Sequence, residues 1–246
     1  MILDSALLFF VTLGAGMSVK LLPGMKSSQL KMLLVFSGAY LFSITFVHIL
    51  PAVFEETQSI GNSGLFVLAG FFFQMVLEYF TSGIEHGHMH EHHHTSEHTV
   101  TRTFTLLIAL GIHSFMEGSI LAYPVEGHHH DSLPLLGGIL LHKVPAAVAL
   151  MSFLVCQEKP SRYAWVLLVI FALMSPLGLI LSEYLHAGSI LSKDSFLILM
   201  ALVAGNFLYI STIILFESSP GHSQNLRKLS IILLGALTAI LIELFL

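Results

Sequence analysis

The sequence predicts an all-α integral membrane protein with eight transmembrane helices, from its composition, its recurring apolar segments and the placement of its cationic residues. Of the 246 residues, 55% are hydrophobic and only 10% are charged, whereas about a quarter of a soluble domain is charged. The mean hydropathy of +0.84 indicates that lipid surrounds most of the chain. The 10 Lys and Arg do not exceed the 15 Asp and Glu, which argues against nucleic-acid binding.

Eight apolar segments are long enough to cross a bilayer, which requires about 20 residues. The predicted spans are 3–22, 32–54, 64–84, 103–123, 133–156, 163–185, 195–216 and 229–246. Their connections are short and polar or contain turn residues, so we expect one transmembrane domain over 1–246. The first segment lacks a basic start and a small-residue cleavage site, so we expect a retained helix rather than a signal peptide.

The cationic residues predict the orientation of the helices, because Lys and Arg concentrate on the cytoplasmic side of a membrane. Those in or beside the connections after spans 1, 3, 5 and 7 are Lys20, Lys26, Lys31, Arg102, Lys159, Arg162, Arg227 and Lys228. The opposite side has only Lys193, and Lys143 lies within a span. We therefore expect both termini to face outward.

Ionisable residues within spans 4 and 5 predict a site, since such groups are costly at bilayer depth. His113 and Glu117 are four residues apart and therefore share one face of span 4. From the predicted outer ends, at about 1.5 Å of rise per residue, His142 of span 5 lies nearly level with His113. Imidazole and carboxylate are zinc ligands, and the single cysteine excludes a multi-cysteine site. A hydrogen-bonded core pair of His113 and Glu117 is the alternative.

Two neighbours of His142 favour the metal interpretation. Lys143 is a second ionisable group at the same depth, and Pro145 removes a backbone hydrogen bond and can loosen the helix. Pro51 in span 2 and Pro176 in span 6 offer the same local freedom, although prolines are common in membrane helices.

The motif His113-Ser114-x-x-Glu117-Gly118, followed by His142 and Pro145, resembles the ZIP (Zrt-, Irt-like) divalent-metal transporters. The resemblance extends to His48-Ile49-Leu50-Pro51 in span 2 and to 204–209 in span 7. It implies a ZIP-like helix bundle that takes Zn²⁺, or a related ion such as Fe²⁺, Mn²⁺ or Cd²⁺, into the cytosol as substrate, with no catalytic cofactor. It further implies that spans 1, 4, 5 and 6 move against spans 2, 3, 7 and 8.

Three positions depart from the family members that hold two adjacent metal ions. Ser114 often corresponds to asparagine in those members, Lys143 to a carboxylate, and Ala146 to glutamate or histidine. The resemblance therefore implies one ion, held by His113, Glu117 and His142, with Ser114 and Lys143 in the place of a second site. His48 is a further candidate for the ion pathway.

Two histidine-rich connections are candidate accessory metal-binding segments, because such tracts bind metal without a fixed fold. The expected cytosolic one contains His86, His88, His90, His92, His93, His94 and His98. The expected outer one contains His128, His129 and His130 between Glu126 and Asp131. A simple flexible tether is the alternative for the longer segment.

The sequence is also compatible with two other functions, a membrane-embedded zinc hydrolase and a metal sensor that does not transport. Neither a His-Glu-x-x-His nor a Gly-x-Ser-x-Gly motif is present, so we expect no enzyme. A bacterial inner membrane and a eukaryotic plasma membrane are both compatible with the sequence, as is a homodimer. Gly14 with Gly16, and Gly137 with Gly138, are candidate points of close helix packing.

Overall fold

A computed structural model describes residues 1–21, 27–56, 61–81, 96–122, 132–156, 161–217 and 226–245. These residues form eight long apolar helices and no strand, which confirms the predicted fold class. The helices are α1 (Ile2–Leu21), α2 (Ser27–Ile44, continuing through Thr45–Ile49 and Leu50–Glu56), α3 (Ser63–Thr81), α4 (Ser96–Ser119, with a final 3₁₀ turn Ile120–Ala122), α5 (Ser132–Val155), α6 (Ser161–Ala187), α7 (Lys193–Glu217) and α8 (Leu226–Phe245).

The helices pack in two groups of four. In the first group α1 contacts α5 and α6, and α4 contacts α6; in the second, α2 contacts α7 and α8, and α3 contacts α7. The most extensive contacts of every helix lie within its own group, while α2 with α5 and α3 with α4 join the two groups. These are the two sets that the family resemblance implies.

Apolar side chains fill both groups and the seam between them. Leu106, Leu150 and Phe171 belong to a buried cluster in the first group, and a larger cluster joins Leu41 of α2 to Ile139 of α5. In contrast, α1, α3 and α8 have few buried residues and expose many apolar side chains. Apolar side chains are stable on such a surface when lipid surrounds the bundle.

Glycine permits the closest helix approach in each group. A Cβ atom on Gly118 of α4 would overlap the backbone oxygen of Ser175 in α6, and one on Gly178 would overlap that of Phe115. In the second group, a Cβ atom on Gly70 of α3 would overlap a backbone oxygen of α7, and one on Gly205 of α7 would overlap a backbone oxygen of α3. Small residues allow backbones to approach this closely in membranes, where helix association depends on packing.

The glycines singled out from the sequence do not meet the backbone of another helix. Gly14 has no neighbour within 4 Å of a built Cβ, and Gly16 meets only the side chain of Leu168. Gly138 meets the ring of Tyr40, whose hydroxyl donates to the Pro134 carbonyl at 2.9 Å. The contact of Tyr40 with α5 therefore joins the two groups through side chains rather than through a backbone crossing.

Of Pro51, Pro145 and Pro176, only Pro51 lies beside an irregular helical turn. α5 and α6 remain α-helical through Pro145 and Pro176, so the irregular backbone that these prolines permit does not occur there. The π-helical turn Thr45–Ile49 in α2 directly precedes Leu50 and Pro51. Such turns place one extra residue in the helix and are frequent at functional sites, and this one contains His48.

Replacing Gly205 with Ala tests the crossing of α3 and α7. The added methyl group meets the backbone oxygen of Val67, which no side-chain rotation can relieve, so we expect a loss of about 1–3 kcal/mol. In detergent this should lower the melting temperature by roughly 5 °C. Gly14→Ala is the matched control and should leave it unchanged or slightly raised, because its Cβ enters open space. Equal shifts for the two variants would contradict this account.

Candidate metal centre

Three buried side chains from two helices converge in the first group. His113 and Glu117 come from α4 and His142 from α5, and one possible ligand atom from each lies within 4.8 Å of the others. The two imidazole rings have their centroids 5.8 Å apart and are nearly perpendicular. The structure therefore brings together the three residues that the sequence singled out as metal ligands.

The two carboxylate oxygens of Glu117 have different surroundings. Oε1 lies 3.0 Å from Nε2 of His113, on the side of the histidines. Oε2 accepts a hydrogen bond of 2.5 Å from the Lys143 ammonium. Because Glu117 is fully buried and Lys143 is only 2% exposed, the opposite charges compensate each other where water cannot.

Two serines extend this ion pair to α6. The Lys143 ammonium also donates to Oγ of Ser114 at 2.6 Å. Ser175 of α6 lies 3.0 Å away, oxygen to oxygen, and donates to the Ser114 carbonyl at 2.7 Å. Sequence analysis did not single out Ser175, although a polar residue directly before the intramembrane Pro176 was a usable signal.

The donor set suits a divalent cation such as Zn²⁺. Two imidazoles and one carboxylate oxygen could provide three ligands, and a tetrahedral zinc ion would then have one further position for water or another group. The Lys143 charge already neutralises Glu117, so an incoming ion adds uncompensated positive charge. Such a site binds more weakly than one with a free carboxylate.

The remaining candidates lie away from this centre or outside the described residues. His48 pairs with Glu243 of α8, a residue that sequence analysis missed, at 3.0 Å from Nδ1 to Oε1. Candidates outside the described residues are His86, His88, His90, His92, His93, His94, His128, His129 and His130. His98 lies on the described backbone of α4, but its side chain is not described.

Comparison with known proteins identifies the family. The ZIP zinc transporter family model matches residues 85–243, which is more than half of the chain and includes His113, Glu117 and His142. The chain belongs to the ZIP family. Protein zntD of Dictyostelium discoideum is 34% identical over 137 residues, which is 54% of this chain and 20% of zntD. Zinc transporter ZIP1 of Takifugu rubripes is 30% identical over 140 residues, 54% of this chain and 44% of that protein.

The matched region includes α4 and α5, the two helices that supply the three candidate ligands. It begins before α4 and ends within α8. The chain spans less than half of the length of either relative.

Removing Lys143 should destabilise this ZIP protein because it leaves Glu117 buried without a counter-ion. For Lys143→Met we expect a loss of about 3 kcal/mol, typical of breaking a buried ion pair. The combined variant Lys143→Met with Glu117→Gln should be more stable than Lys143→Met alone. Thermal unfolding in detergent with a chelator present measures the stability of the single and double variants. A double variant that is less stable than either single variant would refute the charge pairing.

Proposed function

We propose that this protein carries Zn²⁺, or a related divalent cation, across a membrane into the cytosol through a site formed by His113, Glu117 and His142. The observation that carries the proposal is the convergence of these three ligand atoms within 4.8 Å, buried among the membrane helices of a ZIP family member. The expected direction, into the cytosol, is what the resemblance to the ZIP transporters implies. Family membership favours transport over the membrane-embedded hydrolase.

A transport site has to bind the ion and also release it. A divalent cation loses most of its hydration inside a protein, so the three ligands must replace enough of that shell to admit it. Three ligands, one of them a carboxylate already paired with Lys143, provide moderate rather than maximal stabilisation. A site of this strength can fill and empty within one transport cycle.

The arrangement of the two helix groups suggests how the ion changes sides. All three proposed ligands lie on α4 and α5, within one group, and α5 faces α2 of the other group. Sliding of the first group along the second would move the site relative to both membrane surfaces without breaking the bonds to the ion. The seam between the groups is largely apolar and includes Leu41 and Ile139, so such movement would have to break few polar contacts, among them the hydrogen bond from Tyr40 to the Pro134 carbonyl.

Lys143 is proposed to stand in for a second ion. Its ammonium places one positive charge on Glu117 Oε2, where a neighbouring metal would otherwise share the carboxylate. The bilayer interface is too far for the side chain to reach with ease from mid-helix, and its observed partners are internal. The proposed cycle therefore carries one ion at a time.

Zinc flux into proteoliposomes tests the proposed function directly. We expect His113→Ala to reduce zinc flux by roughly 100-fold or more. Removing a residue that hydrogen-bonds to a metal ligand typically lowers metal affinity or activity by about 10–100-fold, and removing the ligand itself should lower it at least as much. His186→Ala, which removes an imidazole from the end of α6, is the control and should transport normally. Competition by Fe²⁺, Mn²⁺ and Cd²⁺ measures the ion preference. Normal flux in His113→Ala would refute the site, and wild-type protein that binds zinc without moving it would favour a sensor.

Replacing Lys143 with Asp tests the proposed role of the lysine. The change removes a cation and adds a carboxylate ligand, so we expect the number of zinc ions per protein to rise above one, or the affinity to increase, with slower release. Lys143→Met is the control, because it removes the charge without adding a ligand. Metal analysis and competition binding measure both quantities. Wild-type stoichiometry and affinity in Lys143→Asp would show that the lysine does not replace an ion.

A further inference from the structure

One face of α6 contacts the lysine beside the metal centre. Phe171 and Ser175 are four residues apart and therefore lie on the same side of the helix, one turn from each other. The Lys143 ammonium lies 5.3 Å from the centroid of the Phe171 ring. Ser175 contacts Ser114, which in turn accepts from Lys143. Sequence analysis predicted a role for neither Phe171 nor Ser175.

The hydrogen bonds between the serines and the lysine have one consistent direction. Each hydroxyl has a single proton, and that of Ser175 goes to the Ser114 carbonyl oxygen. Ser114 must therefore donate its own proton to Ser175 Oγ, which leaves Ser114 Oγ to accept from Lys143. Ser175 thus fixes the direction in which the Ser114 hydroxyl presents its acceptor to the ammonium.

Phe171 occupies another side of the same ammonium. A lysine ammonium has three donors and no acceptor, and two of the donors go to Glu117 Oε2 and Ser114 Oγ. The ring of Phe171 is within the distance at which an aromatic face attracts a cation. Phe171 is itself buried in the apolar cluster of the first group, so its position is fixed by packing.

We propose that Phe171 and Ser175 are positioning residues that hold Lys143 on Oε2 of Glu117, so that the carboxylate offers a cation only its Oε1 atom. The inference rests on the proposed function, because it concerns the ion that His113, Glu117 and His142 would bind. It assigns α6 a role in ion selectivity although α6 supplies none of the three ligands.

A carboxylate restricted to one oxygen favours some divalent ions over others. Zn²⁺ is satisfied by four ligands in a tetrahedron, and three protein atoms with one water complete that shell. Mn²⁺ prefers six ligands, largely oxygen, and gains more from a carboxylate that can bind through both oxygens. Holding Lys143 on Oε2 therefore widens the preference for Zn²⁺ over Mn²⁺, and releasing it narrows that preference.

The test compares the dissociation constants of Zn²⁺ and Mn²⁺ for purified protein in detergent, by competition with a metal indicator, and the fluxes of both ions in proteoliposomes. We expect Phe171→Leu and Ser175→Ala each to narrow the ratio of the two dissociation constants by roughly fivefold, as loss of a weak interaction with the ammonium would. Phe171→Tyr and Ser175→Thr retain the ring and the hydroxyl, so they should keep the wild-type ratio.

A second background separates positioning from general packing. In Lys143→Met the ammonium is absent, so adding Phe171→Leu or Ser175→Ala should change the ion ratio no further. The inference would be overturned if Phe171→Leu and Ser175→Ala both left the ratio of the Zn²⁺ and Mn²⁺ dissociation constants unchanged. It would also be overturned if they narrowed that ratio as much in the Lys143→Met background as in the wild-type protein. If Phe171→Leu does not fold, the nearly isosteric Ser175→Ala decides the question alone. Wild-type protein that neither binds nor carries zinc would instead overturn the proposed function.

Discussion

The buried ion pair between Glu117 and Lys143 is the interaction on which the rest of the centre depends. A lone carboxylate at this depth would be strongly destabilising, because the energy of an isolated buried ion is high. The ammonium at Oε2 supplies the opposite charge, while Oε1 faces His113. Because Lys143 and His142 are adjacent in α5, the helix that supplies a proposed ligand also supplies the counter-ion.

Close packing of α4 on α6 makes this arrangement possible. Gly118 and Gly178 let the two backbones meet, which brings Ser175 within hydrogen-bonding distance of Ser114. Phe171, one turn before Ser175 on α6, lies beside the lysine of α5. Glycine packing and polar contacts therefore act together, since a wider separation of α4 and α6 would remove the contact of Ser175 with Ser114.

The one-ion interpretation combines the family comparison with this geometry. In ZIP members that hold two metals, the resemblance places ligands at the positions of Ser114, Lys143 and Ala146. Here Lys143 donates hydrogen bonds to Ser114 and to Glu117, and Ala146 is buried in an apolar cluster. A cationic side chain and a hydroxyl thus stand at positions where the resemblance implies ligands of a second metal, which favours the one-ion interpretation.

The sequence by itself determined the eight helices, because length and hydropathy within each span suffice when lipid is the solvent. It also singled out His113, Glu117 and His142, since ionisable groups in apolar segments are conspicuous. Only the tertiary structure decided which helices cross at glycines, that α5 stays helical through Pro145, that Phe171 approaches Lys143, and that Ser175 contacts Ser114. A phenylalanine and a serine are ordinary in a membrane helix, so their roles depend on neighbours that are distant in sequence and meet only in the packed bundle.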